Sequence, residues 1–301
     1  MSLLVTGTIG IDTVETPHGR AEDVLGGSAV YFAFAARLLA PVRLVGVVGD
    51  DFPPSFRELL DAPRIDTTGL ETRNGSKTFR WHGKYHRDMN IRDSLRTDLN
   101  VIAEAPPVLP DAFRDSRYVF LANTHPALQC GFMDQLTGPG FVVCDTMDLW
   151  IREHRADLLK TFARVNGVVL NDGEVRMLTG IDDLILAGRA VLDLGPTLVV
   201  IKKGEHGAML VMRDDVFVLP AYPTAAVKDP TGAGDSFAGG MMAWLAAVDR
   251  TDPAALRSAI ARGTCAASIT IEDFSLDAIR AADQQALESR LARFRSTLAF
   301  D

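Results

Sequence analysis

The run Asp229-Pro230-Thr231-Gly232-Ala233-Gly234-Asp235-Ser236-Phe237 gathers small residues, a helix start and a carboxylate into one short stretch. Gly232, Ala233 and Gly234 carry little or no side chain, so a phosphate can approach their backbone N–H groups, and glycine takes the angles a tight turn demands. The apolar run 237–248 predicts a buried helix beginning at about Gly234, with its first N–H groups unpartnered and its positive dipole end aimed at the turn. Such an end stabilises negative charge on a transferring phosphoryl group and favours an ionised Asp235. A carboxylate there is placed to accept the proton of a substrate hydroxyl, the general-base role in phosphoryl transfer to an alcohol. Read by itself, the turn also serves as a plain helix cap. It is not a P-loop, because no Lys-Ser/Thr pair follows the glycines.

Around this stretch, short β-branched runs at 3–6, 43–48, 118–122, 141–145, 167–170 and 198–201 alternate with helical patterns. The helical segments are 28–39, 55–61, 127–136, 148–163 and 183–194, then 239–248, 253–269 and 284–294. That alternation predicts an α/β fold with a mainly parallel sheet covered by helices on both faces, whose ligands gather at the carboxyl ends of the strands. No repeat or low-complexity linker marks a boundary, so residues 1–301 are read as a single domain. Two segments break the pattern. Residues 13–25 are polar, and in 76–97 the residues Phe79, Trp81, Gly83 and Tyr85 alternate with Arg80, His82, Lys84 and His86. A period of two gives a strand with aromatics on one face and basic groups on the other, as part of a small lid or an ordinary edge hairpin.

Composition bounds the partners. Of 301 residues, 47% are hydrophobic and the net charge is −8, which supplies a large core and argues against nucleic acid or an anionic membrane as partner. Neither a signal peptide nor an apolar stretch long enough to span a bilayer is evident, and Cys130, Cys144 and Cys265 show no metal-type spacing. A cytoplasmic location is expected.

The string from Asp229 to Phe237 resembles the C-terminal signature of the ribokinase-like (PfkB-type) carbohydrate and nucleoside kinases, with Pro230 where Thr is common. The resemblance implies a three-layer α/β/α fold with a small β-sheet lid at about 13–25 and 76–97, which in many members also forms a dimer contact. It implies ATP and Mg²⁺ as cofactors, with Asp235 as base and the N–H groups of residues 231–234 as the anion cradle. Asp12 would bond substrate hydroxyls, Gly26-Gly27 would let a sugar approach the backbone, and Asn123 at a strand end would join them. Asp145 stands at the next strand end, with an unassigned role. Asn171 and Glu174 match the motif that holds hydrated Mg²⁺ and phosphates. Gly204 would admit the nucleotide, with Lys202 or Lys203 as a nearby positive charge and Lys203 carried as the candidate. Asp229 and Thr231 match positions that bind a monovalent cation such as K⁺ in some members.

Tyr31 stands where many sugar-type members have Asn, so it either stacks on a base, as Trp81 and Tyr85 would, or belongs to the core. A sugar and a ribonucleoside both remain open as acceptor. Gly7-Thr8-Ile9-Gly10 lacks dinucleotide-binding spacing, which disfavours a dehydrogenase. A catalytically idle sensor of a nucleoside or sugar phosphate is the alternative, against which the retained Asp235, Asn171 and Glu174 stand.

Overall fold

The computed structural model describes residues 1–299. The chain opens with β1 (Leu3–Thr6), β2 (Gly10–Thr16), β3 (Gly19–Gly26), α1 (Ser28–Ala36), β4 (Val42–Gly49), α2 (Pro54–Leu60) and β5 (Ile65–Arg73). Next come β6 (Phe79–Tyr85), β7 (Arg92–Asp98), β8 (Tyr118–Leu121), α3 (Pro126–Met133), β9 (Phe141–Asp145), α4 (Asp148–Glu153) and α5 (Arg155–Phe162). They are followed by β10 (Gly167–Asn171), α6 (Asp172–Thr179), α7 (Leu184–Leu192), β11 (Leu198–Lys202), β12 (Ala208–Met212) and β13 (Val216–Leu219). The chain finishes with α8 (Ala233–Val248), α9 (Pro253–Thr270), α10 (Asp277–Ala281) and α11 (Gln284–Leu298).

The central sheet has nine strands in the order β13-β12-β11-β10-β9-β8-β1-β4-β5. It is parallel from β11 to β5, and the β12–β13 hairpin adds an antiparallel edge. Its inner strands are apolar throughout because both faces are covered. Leu3 and Val5 of β1 pack with α1, α8, α9 and α11, whereas Leu4 packs with α3, α5, α6 and α7. This is the expected three-layer arrangement, and it brings the carboxyl ends of β1, β8, β9, β10 and β11 to one edge.

A second sheet of four strands, ordered β3-β2-β6-β7, stands apart, with β2 and β6 parallel. Its basic residues are paired within the protein: Arg80 bonds Asp23 and Asp51 at 3.0 and 3.3 Å, and His82 bonds Glu15 at 3.0 Å. Phe79, Trp81 and Tyr85, on the other register, line a cavity.

Several expectations change. The polar segment 13–25 is a hairpin whose first strand begins at Gly10, which takes Asp12 into a strand. The helix expected over 148–163 breaks at His154, whose backbone (φ −129°, ψ 33°) is not helical and whose ring turns to His125. Strand β5 escaped notice because it is a polar edge strand pairing only with β4, and the β12–β13 hairpin because it is an antiparallel addition that breaks the strand–helix alternation.

Candidate active site

Helix α8 begins at the turn the sequence singled out. Gly232 caps it in the left-handed region (φ 73°), and a Cβ there would collide with the Tyr31 ring beneath. Tyr31 is 1% exposed, so of its two readings the core one fits: the ring supports the turn from below while still bordering the cavity. The anion cradle is also narrower than residues 231–234. Thr231 N donates to Asp229 Oδ1 (2.9 Å) and Ala233 N to the Pro230 carbonyl (3.2 Å). Gly232 N and Gly234 N have no protein partner among the described residues and point the helix's positive end at the cavity.

Asp235, in the first turn of α8, lines the same cavity of about 940 Å³. Burial, then the like charge of Asp145, push its carboxyl up to about 7 against the pull of Lys202 and Arg92. Asp145, at the end of β9, is buried and accepts from Thr146 N (2.8 Å) and from Lys202 Nζ (3.0 Å). The Lys202 ammonium lies so close to Gly234 that a Cβ there would sit 2.8 Å from Nζ. Burial alone would lower the Lys202 pKa, but Asp145, Glu174 and Asp235 outweigh it and hold the value above normal. Lys202 thus occupies the position the sequence left between two lysines. Lys203 does not line the cavity, which corrects its place among the candidates, whereas Gly204 does line it.

Asn171 and Glu174 form a reciprocal cap on α6. Asn171 Oδ1 accepts from Glu174 N and Glu174 Oε2 from Asn171 N, both at 2.7 Å. Burial raises the Glu174 pKa, with Lys202 opposing and Asp145 reinforcing. Asp145, Glu174 and Asp235 thus outnumber Lys202 as charges, which suits a divalent cation. Among the described residues, no three His, Cys, Asp or Glu side chains converge as a ready-made metal site.

Asp12 also lines the cavity; it is 4% exposed and its Oδ1 has no partner among the described residues. Burial pushes its carboxyl up to about 7; a bond from Gly27 lowers it and the charge of Asp229 raises it further. Gly26 makes room for this carboxylate, since a Cβ would collide with it, and does not itself line the cavity. Gly27 does, at φ 102°. Asn123 lines the cavity with its side chain bonded to Trp150 and Met147. Asp229 uses both oxygens on backbone, at Thr231 and Ser275 (3.1 Å), while Thr231 Oγ1 donates to Tyr85 of β6 at 3.3 Å. The pair expected around a monovalent cation therefore ties the turn to α10's approach and to the second sheet. Gln129, which no motif flagged, donates to the carbonyls of Leu121, Ala122 and Asp145 and fixes the β8 and β9 ends together.

Residues 11–280 match the model of the pfkB family carbohydrate kinases. The chain belongs to that family. This pfkB-family chain is 33% identical over 250 residues to a cytidine kinase of Thermococcus kodakarensis, covering 81% of this chain and 88% of that one. It is 27% identical to a fructokinase of Klebsiella pneumoniae, over 81% and 84% of the two chains. In fold it is similar to the aminoimidazole riboside kinase of Salmonella enterica solved with aminoimidazole riboside and an ATP analogue. That match has a TM-score of 0.80 at 21% identity, over 97% of this chain and 100% of that one. No helix among the described residues is long and apolar enough to cross a membrane.

Proposed function

We propose that the protein transfers the γ-phosphoryl group of ATP to a hydroxyl of a ribonucleoside or sugar, with a ribonucleoside as the favoured acceptor. The observation that carries the reading is Asp235 at the N-terminus of α8, beside the unpartnered N–H groups of Gly232 and Gly234 and the ammonium of Lys202. Asp235 takes the proton of the attacking hydroxyl, and its carboxyl at about 7 suits a base operating near neutral pH. The two N–H groups and Lys202 face the charge that builds on the transferring group. Asp12, with an oxygen unpartnered until substrate arrives, orients the acceptor by accepting from its hydroxyls.

Glu174 and Asn171 would hold Mg²⁺ through water. Bound there, the ion would neutralise the nucleotide phosphates. The whole chain acts as one domain, with the second sheet as a lid whose closure excludes water. A ribonucleoside is favoured because the cavity that Asp12 lines also carries Phe79, Trp81, Leu99, Ile102, Leu149 and Trp150, apolar surface that a base would cover and a bare sugar would not. The cytidine kinase relative supports the same choice. The test is ADP release with Mg²⁺ and ATP across pentoses, hexoses and ribonucleosides, beside Asp235→Asn. The expected result is turnover of a ribonucleoside, lost by roughly 10²–10⁴-fold in the variant. Undiminished turnover by Asp235→Asn would refute the assignment of the base.

A further inference from the structure

Asn123 lines the cavity from the loop after β8, with both ends of its side chain specified. Its backbone carbonyl accepts from Ser28 Oγ at 3.1 Å, fixing the loop against the start of α1. Its Oδ1 accepts from Trp150 Nε1 at 2.9 Å. An indole N–H only donates, so it decides the amide's orientation: oxygen toward Trp150, NH₂ on the other side. There Nδ2 meets only the Met147 sulfur at 3.2 Å, a weak acceptor, and Met147 itself lines the cavity.

Trp150 is in turn held by an imidazole pair. His125 caps α3 by accepting from Ala127 N at its Nδ1 (3.1 Å), which places its proton on Nε2. That proton is donated to His154 Nδ1 at 3.0 Å. The rings of His125 and His154 stand 5.1 and 5.5 Å from the Trp150 ring. Trp150 is 4% exposed, so the indole has little room to turn. The break in the helix at His154 is what lets this ring reach back.

We propose that Trp150, braced by the His125–His154 pair, is a positioning residue that locks Asn123 as a hydrogen-bond donor toward the acceptor. The cavity thereby favours a nucleoside, whose base of any common kind presents a carbonyl oxygen or an unprotonated ring nitrogen, over an acceptor that carries no such base. The inference rests on the reading of this cavity as the phosphoryl-acceptor site. An amide free to flip would accept or donate equally and discriminate little. Locked, it favours a partner with a lone pair and leaves a buried donor unpaired when the base has none.

The experiment measures steady-state kinetics and calorimetric acceptor binding on the full chain, with cytidine, uridine, free ribose and 1-phenylribose, a riboside lacking base heteroatoms. Wild type is compared with Trp150→Phe, which keeps a ring and removes the N–H, and with Asn123→Asp, which replaces the donor by an acceptor. Trp150→Phe, which leaves the Asn123 amide free to take either orientation, is expected to raise KM and Kd for the pyrimidine nucleosides about twofold or more with kcat little changed. Loss of the donor itself in Asn123→Asp is worth one hydrogen bond of about 1–2 kcal/mol, roughly five- to thirtyfold. Neither variant should shift ribose or 1-phenylribose comparably. Equal losses for all acceptors, or a fall confined to kcat, would overturn the proposal while leaving the kinase assignment intact. Wild type that phosphorylates only sugars, or binds no acceptor, would overturn both the proposal and the nucleoside reading beneath it. Melting curves identify a variant that is merely unfolded, and for such a variant Trp150→Tyr provides the same removal of the indole donor with the ring retained.

Discussion

Replacing Asp12 with Asn should stabilise the ligand-free protein and weaken its hold on the acceptor, and the gain should depend on pH. The Asp12 carboxyl is 4% exposed and lies at about 7 in the fold against 3.8 for the free group. The folded chain therefore binds this proton more tightly than the unfolded chain, so stability falls as pH rises from about 4 to about 7 and levels off above. At about 1.4 kcal/mol per unit, ionising Asp12 in the fold costs roughly 1.5 kcal/mol at pH 5 and about 4 kcal/mol at pH 8. Asparagine keeps an oxygen for the Gly27 N–H and removes the titration. The variant's advantage over wild type should then grow by about 2–3 kcal/mol between those two pH values, several degrees in Tm for a chain of this size. Asp235 and Glu174 shift in the same direction, but they are present in both proteins and cancel in the difference. Urea or thermal melts at pH 5 and 8 without ligand, beside acceptor titrations, provide the assay. A gain of equal size at both pH values, or a variant less stable than wild type at pH 8, would refute the reasoning. So would undiminished acceptor affinity, because the unpartnered Oδ1 would then have no substrate to meet.

Lys202→Met removes the ammonium that faces Asp145, Glu174 and Asp235. Asp235 and Glu174 should become harder to ionise, so the acid limb of the kcat/KM profile, expected near pH 7 from Asp235, should move to higher pH while KM for ATP rises; an unmoved limb would exclude the charge coupling. Gly232→Ala forces a side chain into a left-handed backbone and against the Tyr31 ring, which should lower stability by about 1–3 kcal/mol in a melt and reduce kcat far more than nucleotide affinity. Tyr31→Phe deletes a buried hydroxyl that has no hydrogen-bond partner, so stability should hold or rise by up to about 1 kcal/mol with activity retained. A large loss of turnover in that variant would show that the hydroxyl, and not only the ring, matters.

What could be read beforehand was local. Gly232, Gly234 and Asp235 are neighbours in sequence, so their spacing alone implies a turn feeding a helix start, and the same holds for the Asn171–Glu174 cap. The choice between Lys202 and Lys203 was also within reach. In β11 Leu198 and Val200 face the layer that holds α8, and the alternation of a strand carries Lys202 to that same face, toward Gly234. Tyr31 was ambiguous because an aromatic in an almost wholly apolar helix is consistent with either site or core. Its contact with Gly232 joins residues some two hundred positions apart, which no periodicity reveals. Asp12 had its role through resemblance only, since polar β2 does not look like a strand until β3 and β6 flank it. The Asn123–Trp150–His125–His154 chain stayed hidden for the same reason, being assembled from the loop after β8, helix α4 and the break between α4 and α5.

On the proposed function, helix α1 links the two halves of the reaction in a way that restricts how the protein can diversify. Its first residues belong to the acceptor cradle at Gly27 and Ser28, and one turn later its Tyr31 ring carries the phosphate turn. Four residues of helix advance about 6 Å, so the span from cradle to turn is set by the pitch of a helix buried along its whole length. That span acts as a fixed gauge. Acceptors of different size can be accommodated only by reshaping what lies beyond the gauge, namely the second sheet, the loop bearing Asn123 and helix α4 bearing Trp150, while the register of hydroxyl against phosphate stays the same.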